Sequence, residues 1–174
     1  SCSKVNVADY LSLITAKKYN DVKQMALKAT KKPSVLTEIK YGDAWYIPAG
    51  KSFIAHLIED AGGDYFWKED TKTGSSAQSF ETVYTKAKDC DIWINLYNLN
   101  TKKELLSYDE RYGLFKACKN NQLYNNNKTQ NTLGYSNYWE TGITHPEDVL
   151  GDLIAIFSPT LMVNHSFVYY KKLD

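Results

Sequence analysis

The sequence has few cysteines and histidines, and this scarcity limits the chemistry available to it. Cys2, Cys90 and Cys118 form no Cys-x-x-Cys pair, so no disulfide framework is expected. The three histidines are far apart, and none shows the His-x-x-x-His spacing of a helical metal site. The sequence therefore predicts no metal site and no bound cofactor.

The sequence also lacks long apolar runs and any excess of charge. No run approaches the roughly 20 apolar residues that a membrane-spanning helix needs. A net charge of +1, with scattered lysines, gives no electrostatic reason to expect a nucleic-acid partner. With 174 residues, 43% of them hydrophobic, the chain is typical of one globular domain of ordinary size.

Motifs for covalent and acid–base catalysis are missing too. There is no Gly-x-Ser-x-Gly elbow, and no serine or cysteine lies in a recognisable activating pattern. The acidic pairs Glu59-Asp60 and Glu69-Asp70 fall in helix-end or loop contexts typical of solvated side chains. We predict no catalytic residues and expect a protein that is not an enzyme.

Ala49–Ser52, with the sequence AGKS, is the nearest approach to a phosphate-binding motif. A P-loop needs Gly-x-x-x-x-Gly-Lys-Ser/Thr, so that successive N–H groups surround a phosphate. Trp45 occupies the first glycine position, and Pro48 removes a backbone donor. A nucleotide P-loop is therefore disfavoured. Lys51 at a helix N-terminus is either a contact for an anionic group or a solvated first-turn residue.

Aromatic residues are abundant, at 14% of the chain, with 14 tyrosines. Many lie in segments that resemble loops: Trp45, Tyr46, Tyr97, Tyr135, Tyr138 and Trp139. Aromatic side chains in polar loops often contact a ligand, because they offer a large surface at small entropic cost.

Helix-like and strand-like segments alternate along the chain. Apolar residues at three- and four-residue spacing predict helices at 6–30, 51–61, 79–88, 101–119 (interrupted near 112–113) and 146–157. Short apolar runs predict strands at 34–39, 64–67, 91–96, 122–125 and 167–171. This order predicts an α/β three-layer sandwich with a mainly parallel central sheet, a Rossmann-like lobe, preceded by a long helix.

Three loops follow the carboxyl ends of predicted strands, where ligands bind in such sheets. They are Lys40–Gly50, Tyr97–Asn100 and Asn126–Gly142, which contain many of the aromatic and asparagine residues. We therefore expect a ligand site where these loops meet.

Several segments resemble a known family. Ser79-Phe80-Glu81 at a helix start, followed by Asp91-Ile92-Trp93-Ile94, resembles the Ser-x-Glu and Pro-Asp pattern of bacterial ABC-importer substrate-binding proteins for siderophores, haem and cobalamin. Segments 43–52, 60–64, 112–117, 124–127 and 138–142 are similar to the carboxy-terminal lobe of Bacteroidetes-type members. The resemblance covers most of Pro33–Leu173, although Cys90 stands where the family usually has proline.

The resemblance implies a domain organisation and a location. Residues 1–32 would be the connector helix between two lobes, residues 33–174 the C-terminal ligand-binding lobe, and the N-terminal lobe would be absent from this sequence. It also implies a periplasmic location. Ser1-Cys2-Ser3 is similar to the surroundings of a processed lipoprotein cysteine, so Cys2 is a candidate for a lipid anchor.

The resemblance also implies partners and site residues. The ligand would be an iron chelate, haem or cobalamin, delivered to the transmembrane subunits of a permease. Glu81 matches the family glutamate that pairs with permease arginines. The ligand-facing residues would be Trp45, Tyr46, Tyr97, Asn98, Tyr138, Trp139 and Glu140, with Lys51 as an anion contact. The alternatives are a small α/β enzyme or binding module for an anionic or phosphorylated molecule, and a protein–protein module that uses the aromatic loops.

Overall fold

The structure, a computed structural model, describes residues 7–174 and confirms the predicted α/β fold. Its eight strands are β1 (Ser34–Thr37), β2 (Lys40–Tyr41), β3 (Ala44–Pro48), β4 (Asp64–Tyr65), β5 (Ser75–Gln78), β6 (Ile92–Ile94), β7 (Leu123–Asn125) and β8 (Lys171–Lys172). The central sheet has the order β4-β1-β6-β7-β8. Its first four strands pair in parallel, and β8 is antiparallel to β7, so the sheet is mainly parallel.

Six α-helices connect or cover these strands: α1 (Val7–Ala26), α2 (Phe53–Asp60), α3 (Phe80–Ala87), α4 (Lys102–Tyr108), α5 (Lys116–Lys119) and α6 (Pro146–Phe157). Short 3-10 helices occur at Glu110–Leu114, Asn137–Trp139 and Pro159–Leu161. The predicted interruption of the 101–119 helix is confirmed, because α4, a 3-10 turn and α5 share that segment. Ser79 caps α3 as predicted, its Oγ accepting from the Thr82 N–H at 3.1 Å. The predicted cap Asn6 lies outside the described residues.

A second, antiparallel sheet of order β2-β3-β5 was not predicted. Its hairpin lies within 40–50, and its third strand within 68–78, both of which the sequence predicts to be loops. Gly42 has a φ of +62° at the first position of the two-residue turn between β2 and β3, a conformation that favours tight hairpins. Strands β2 and β5 are short and carry polar residues, so apolar patterning does not mark them, and β3 is apolar but only five residues long.

Helix α1 is packed along only part of its length, as its interrupted apolar stripe predicts. Ala26 at its end is buried, and the Tyr19 hydroxyl donates to Asp60 of α2 at 2.5 Å. Val7 and Leu11 near its beginning are exposed. The C-terminal half of α1 therefore attaches this helix to α2 and α6, and its role as a connector between lobes stays a prediction.

An aromatic cluster fills the core between the two sheets. Trp45, Trp93, Tyr112 and Phe115 are all fully buried. The ring centroids of Trp93 and Phe115 lie 5.0 Å apart and those of Trp45 and Phe115 lie 5.8 Å apart, within the range of favourable ring contacts. Part of the high aromatic content therefore stabilises the fold.

Candidate ligand-binding site

The hairpin strand β3 points adjacent aromatic residues in opposite directions. Trp45 has 0% of its surface exposed, and its Nε1 donates to the Thr37 carbonyl oxygen at 3.1 Å. Tyr46 is 50% exposed. Successive side chains of a strand face opposite sides of the sheet, so only one of these two can leave the core. The prediction that Trp45 contacts the ligand is therefore wrong, whereas Tyr46 remains available.

A cavity of about 410 Å³ lies where the carboxyl ends of β1 and β6 meet the hairpin. We call it the Glu38 cavity; its lining residues are Glu38, Tyr46, Pro48, Ser52, Phe53, Ile54, Thr73, Gly74, Ser75, Asn95, Tyr138, Trp139 and Ile143. The predicted residues Tyr46, Tyr138 and Trp139 thus come together at one site. Aromatic and aliphatic walls with a few polar groups are typical of sites for small molecules.

A second hollow, of about 320 Å³, adjoins the first and shares Trp139 with it. We call it the Tyr97 hollow; it is lined by Tyr97, Asn98, Asn127, Gln130, Gly134, Tyr135, Ser136 and Trp139. Tyr97 and Trp139 are 62% and 60% exposed. The structure therefore places Tyr46 and Tyr138 at the Glu38 cavity, Tyr97 and Asn98 at the Tyr97 hollow, and Trp139 at both.

Glu38, which the sequence analysis missed, provides the acidic group of the cavity. It keeps a small accessible surface where it meets the cavity, while protein atoms surround most of the carboxyl group. This burial raises the pKa of Glu38 from 4.5 to about 7, and hydrogen bonding from the Asn95 side chain opposes the shift in part. The carboxyl group therefore titrates in the neutral range.

Two buried tyrosines lie beside Glu38 and Asn95: Tyr138 lines the Glu38 cavity, and Tyr170 packs behind it. The Tyr170 hydroxyl donates to Asn95 Oδ1 at 2.7 Å, and the rings of Tyr138 and Tyr170 meet edge to face at 6.1 Å. Burial raises the pKa of both Tyr138 and Tyr170 well above the usual range, so both phenols stay protonated. They therefore add no charge beside Glu38.

The backbone at this edge of the sheet is unusual. Glu38, Asn95 and Tyr97 have φ values of +67°, +60° and +54°, a backbone region that residues other than glycine rarely adopt. The Trp93 Nε1 donates to the Glu38 carbonyl oxygen at 2.8 Å and holds that residue in place. Such conformations cost roughly 1–3 kcal/mol each and concentrate at functional sites.

Buried polar side chains hold the surrounding loops. The Asp152 carboxylate of α6 is fully buried and accepts from the N–H groups of Val168, Tyr169 and Tyr170 and from His165 Nε2 at 2.6 Å. This network fixes the segment that brings Tyr170 to Asn95. Asn125, at the end of β7, binds the loop after β6 by accepting from Leu96 N–H and donating to the carbonyl oxygens of Tyr97 and Leu99.

The AGKS segment is not arranged to hold an anion. The Lys51 N–H donates to the Lys72 carbonyl oxygen at 2.9 Å, and the Ser52 N–H donates to the Ala49 carbonyl oxygen at 3.1 Å. A Cβ at Gly50 would collide with the backbone carbonyl oxygens of Trp67, Lys68 and Asp70. Gly50 is therefore required by close packing, and both N–H groups that could face a phosphate are already used.

Lys51 and Glu140, both predicted ligand contacts, line neither depression. Lys51 is exposed at the turn before α2. Glu140 Oε1 accepts from Asn131 Nδ2 at 2.7 Å and so fastens its own loop. Both side chains lie outside the Glu38 cavity and the Tyr97 hollow, and their contact with a ligand stays a prediction.

Glu81 lies in the first turn of α3, as predicted, and its side chain is 76% exposed. Arg111 Nη1 approaches Glu81 Oε1 at 3.5 Å. The same guanidinium binds Asp109 more closely, at 2.7 Å, and holds the pKa of that carboxyl below its usual range. An exposed pair of this kind contributes little stability, so Glu81 is accessible to another cation.

One group of possible metal ligands exists that histidine spacing did not predict. His145, Glu147 and Asp148 bring ligand atoms within 4.8 Å of one another, a nitrogen and oxygen set that divalent transition metals accept. They lie at the N-terminus of α6, where the helix dipole disfavours a cation. Cys90 and Cys118 are free and buried, and Cys2 lies outside the described residues.

A signal for Glu38 and Asn95 was present in the sequence. Each follows directly on a short strand, β1 (Ser34–Thr37) or β6 (Ile92–Ile94), and polar residues at the carboxyl ends of parallel strands face the ligand crevice. Neither position belongs to one of the long aromatic and asparagine-rich loops.

Comparison with known proteins places the fold. No family model matches the chain. An uncharacterized lipoprotein of Methanocaldococcus jannaschii is 30% identical over 180 residues, which cover 97% of this chain and 41% of that protein. The chain thus spans less than half the length of this curated relative.

Solved structures of similar fold are about twice as long as this chain. The TroA-like periplasmic binding protein FepB of Veillonella parvula aligns with a TM-score of 0.64 and 19% identity, over 96% of this chain and 56% of its own. Helicobacter pylori CeuE with Ni(II) bound aligns with a TM-score of 0.65 and 14% identity, over 94% of this chain and 49% of its own. The haem-binding protein RhuT of Roseiflexus aligns with a TM-score of 0.65 and 14% identity, over 88% of this chain and 56% of its own.

Among residues 7–174 no helix has the length and apolar character needed to cross a membrane. The Glu38 cavity lies at the carboxyl ends of parallel strands, and the structural similarity covers 87–96% of the chain. Both observations indicate the same architecture. The chain has the fold of a TroA-like periplasmic binding protein lobe.

Proposed function

We propose that this chain is a ligand-binding lobe of the substrate-binding component of an ABC importer, with an iron chelate, haem or cobalamin as ligand. The observation that carries the proposal is the Glu38 cavity, with Tyr46, Phe53 and Trp139 at its walls. Large aromatic faces suit bulky, flat ligands. The proposed role is binding and delivery without chemical change of the ligand.

The proposal includes a second lobe. The Glu38 cavity and the Tyr97 hollow are open depressions on one face, and the proteins of similar fold have about twice the length of this chain. A ligand covered from the other side by a second lobe would lose most of its contact with water. We also propose a periplasmic location with a lipid anchor at Cys2, supported by the lipoprotein relative.

Titration of the chain with haemin, ferrichrome and aquacobalamin, followed by calorimetry, tests the binding role. We expect saturable binding of at least one chelate and a loss of about 10-fold or more in affinity in Tyr46→Ala, which removes an aromatic wall. Tyr41→Ala is the matched control, because Tyr41 is an exposed tyrosine of the same hairpin outside both depressions. Absence of binding to all three chelates would contradict the proposal.

Docking through Glu81 is a separate part of the proposal. An arginine of a permease could replace Arg111 as its partner, because the Glu81–Arg111 contact is long and exposed. We expect Glu81→Lys to weaken association with the permease and to leave chelate affinity unchanged. A fall in chelate affinity would assign Glu81 to the ligand site instead.

A further inference from the structure

The charge distribution inside the Glu38 cavity narrows the chemistry of the ligand. Of the described residues that line it, Glu38 is the one with an ionisable carboxyl group, and none is lysine, arginine or histidine. Within residues 7–174, no basic side chain forms an ion pair with Glu38. The cavity therefore has an acidic group without a counter-ion, which disfavours an anionic group at that point.

The neighbours of Glu38 also favour a positive centre. The phenols of Tyr65, Tyr138 and Tyr170 interact electrostatically with Glu38, and they come from β4, the 3-10 helix Asn137–Trp139 and the segment before β8. All three stay protonated at neutral pH because burial raises their pKa. Tyr46 and Trp139 at the walls add ring faces, whose negative electrostatic potential attracts cations.

We propose, on the basis of the proposed function, that the Glu38 carboxylate binds a positively charged centre of the ligand while Tyr46 and Trp139 contact its apolar body. The centre can be the metal ion of a chelate with an exchangeable position or an organic ammonium group. In both cases the ligand supplies a counter-ion that residues 7–174 do not provide. A buried carboxylate gains most from such a partner, because water no longer screens the interaction.

Binding of a cation should release the proton from the protonated Glu38 carboxyl group. Since burial raises the pKa of Glu38 to about 7, half of the carboxyl groups are protonated near neutral pH. A cation binds the ionised form, so affinity falls as the pH decreases. For one proton and a pKa of about 7, affinity decreases roughly 90-fold between pH 8 and pH 5.

The test compares probes that differ in charge. Aquacobalamin carries a positive cobalt centre with an exchangeable water, and cyanocobalamin is its uncharged counterpart. Tryptamine and 3-ethylindole form the corresponding organic pair. We expect the wild-type chain to prefer the cationic member of at least one pair by about 10-fold or more at pH 7.5, and Glu38→Gln to abolish that preference.

Two further measurements separate the outcomes. Tryptamine stays cationic from pH 5 to pH 8, so the pH dependence of its affinity reports the ionisation of Glu38. This pH dependence should disappear in Glu38→Gln. It should persist in Glu69→Gln, because Glu69 is an exposed glutamate outside the cavity. Thermal unfolding verifies that both variants fold. Equal affinity for both members of both pairs, or a preference that survives Glu38→Gln, would overturn this inference while leaving the importer role intact. Binding of tryptamine without any chelate would overturn the importer role and support Glu38 as a cation site.

Discussion

The substitution Glu38→Gln has a predictable effect on stability in the absence of ligand. Glutamine keeps the size and hydrogen-bonding capacity of the protonated side chain and removes its ionisation. In the folded protein the pKa of Glu38 is about 7, against 4.5 ordinarily, so between these values the folded state holds the proton more tightly than the unfolded state. The stabilising contribution is complete below pH 4.5 and is lost as the pH rises through 7.

The magnitude follows from the size of the pKa shift. One pKa unit corresponds to about 1.4 kcal/mol, so a shift from 4.5 to about 7 amounts to roughly 3 kcal/mol. Wild type should therefore lose roughly 3 kcal/mol relative to Glu38→Gln between pH 4 and pH 8. The two proteins should be nearly equal in stability at the lower pH.

Urea denaturation of both proteins at pH 4.5, 6 and 8 measures this difference directly. The slope of unfolding free energy against urea concentration should be the same for both, because the surface exposed on unfolding is unchanged. Glu69→Gln should follow wild type at all three pH values, since Glu69 is exposed. A constant difference between wild type and Glu38→Gln across this range would refute the assigned environment of Glu38.

Other substitutions test which residues stabilise the core and which contact the ligand. Trp45→Phe should destabilise the chain by about 2 kcal/mol, because it removes the bond to the Thr37 carbonyl oxygen and leaves a cavity; Tyr46→Ala should change the unfolding free energy by less than about 1 kcal/mol. A loss of chelate affinity at unchanged stability in Trp45→Phe would reverse this assignment. Asp152→Ala should cost about 3–5 kcal/mol, measured by urea denaturation, because it leaves three N–H groups and His165 without their acceptor.

Apolar periodicity predicted the parts of the fold that a one-dimensional pattern can encode. The α6 helix agrees with its predicted range, and Ser79 caps α3 as predicted. Both depend on local rules, namely the helical repeat and the side-chain cap of the first turn. Apolar periodicity did not predict the hairpin of β2 and β3, because its strands are short and partly exposed.

The tertiary structure brings some of the predicted ligand-facing residues together and separates others, for a geometric reason. Tyr46, Tyr138 and Trp139 line the Glu38 cavity, and Tyr97 and Asn98 line the adjoining hollow. Trp45 was misassigned because a residue in a strand faces one side or the other, and treating the segment as a loop discarded that alternation.

The sequence by itself determined the α/β order, the helix boundaries set by caps and periodicity, and the failure of AGKS as a P-loop. Tertiary structure decided which aromatic residues face the cavity and gave Glu38 its significance. Glu38 follows Thr37 like any residue at a strand end, and its pKa rises because the fold buries the carboxyl group, while hydrogen bonding from Asn95 opposes part of the shift. Burial and electrostatic coupling depend on distances in space, which local sequence does not specify.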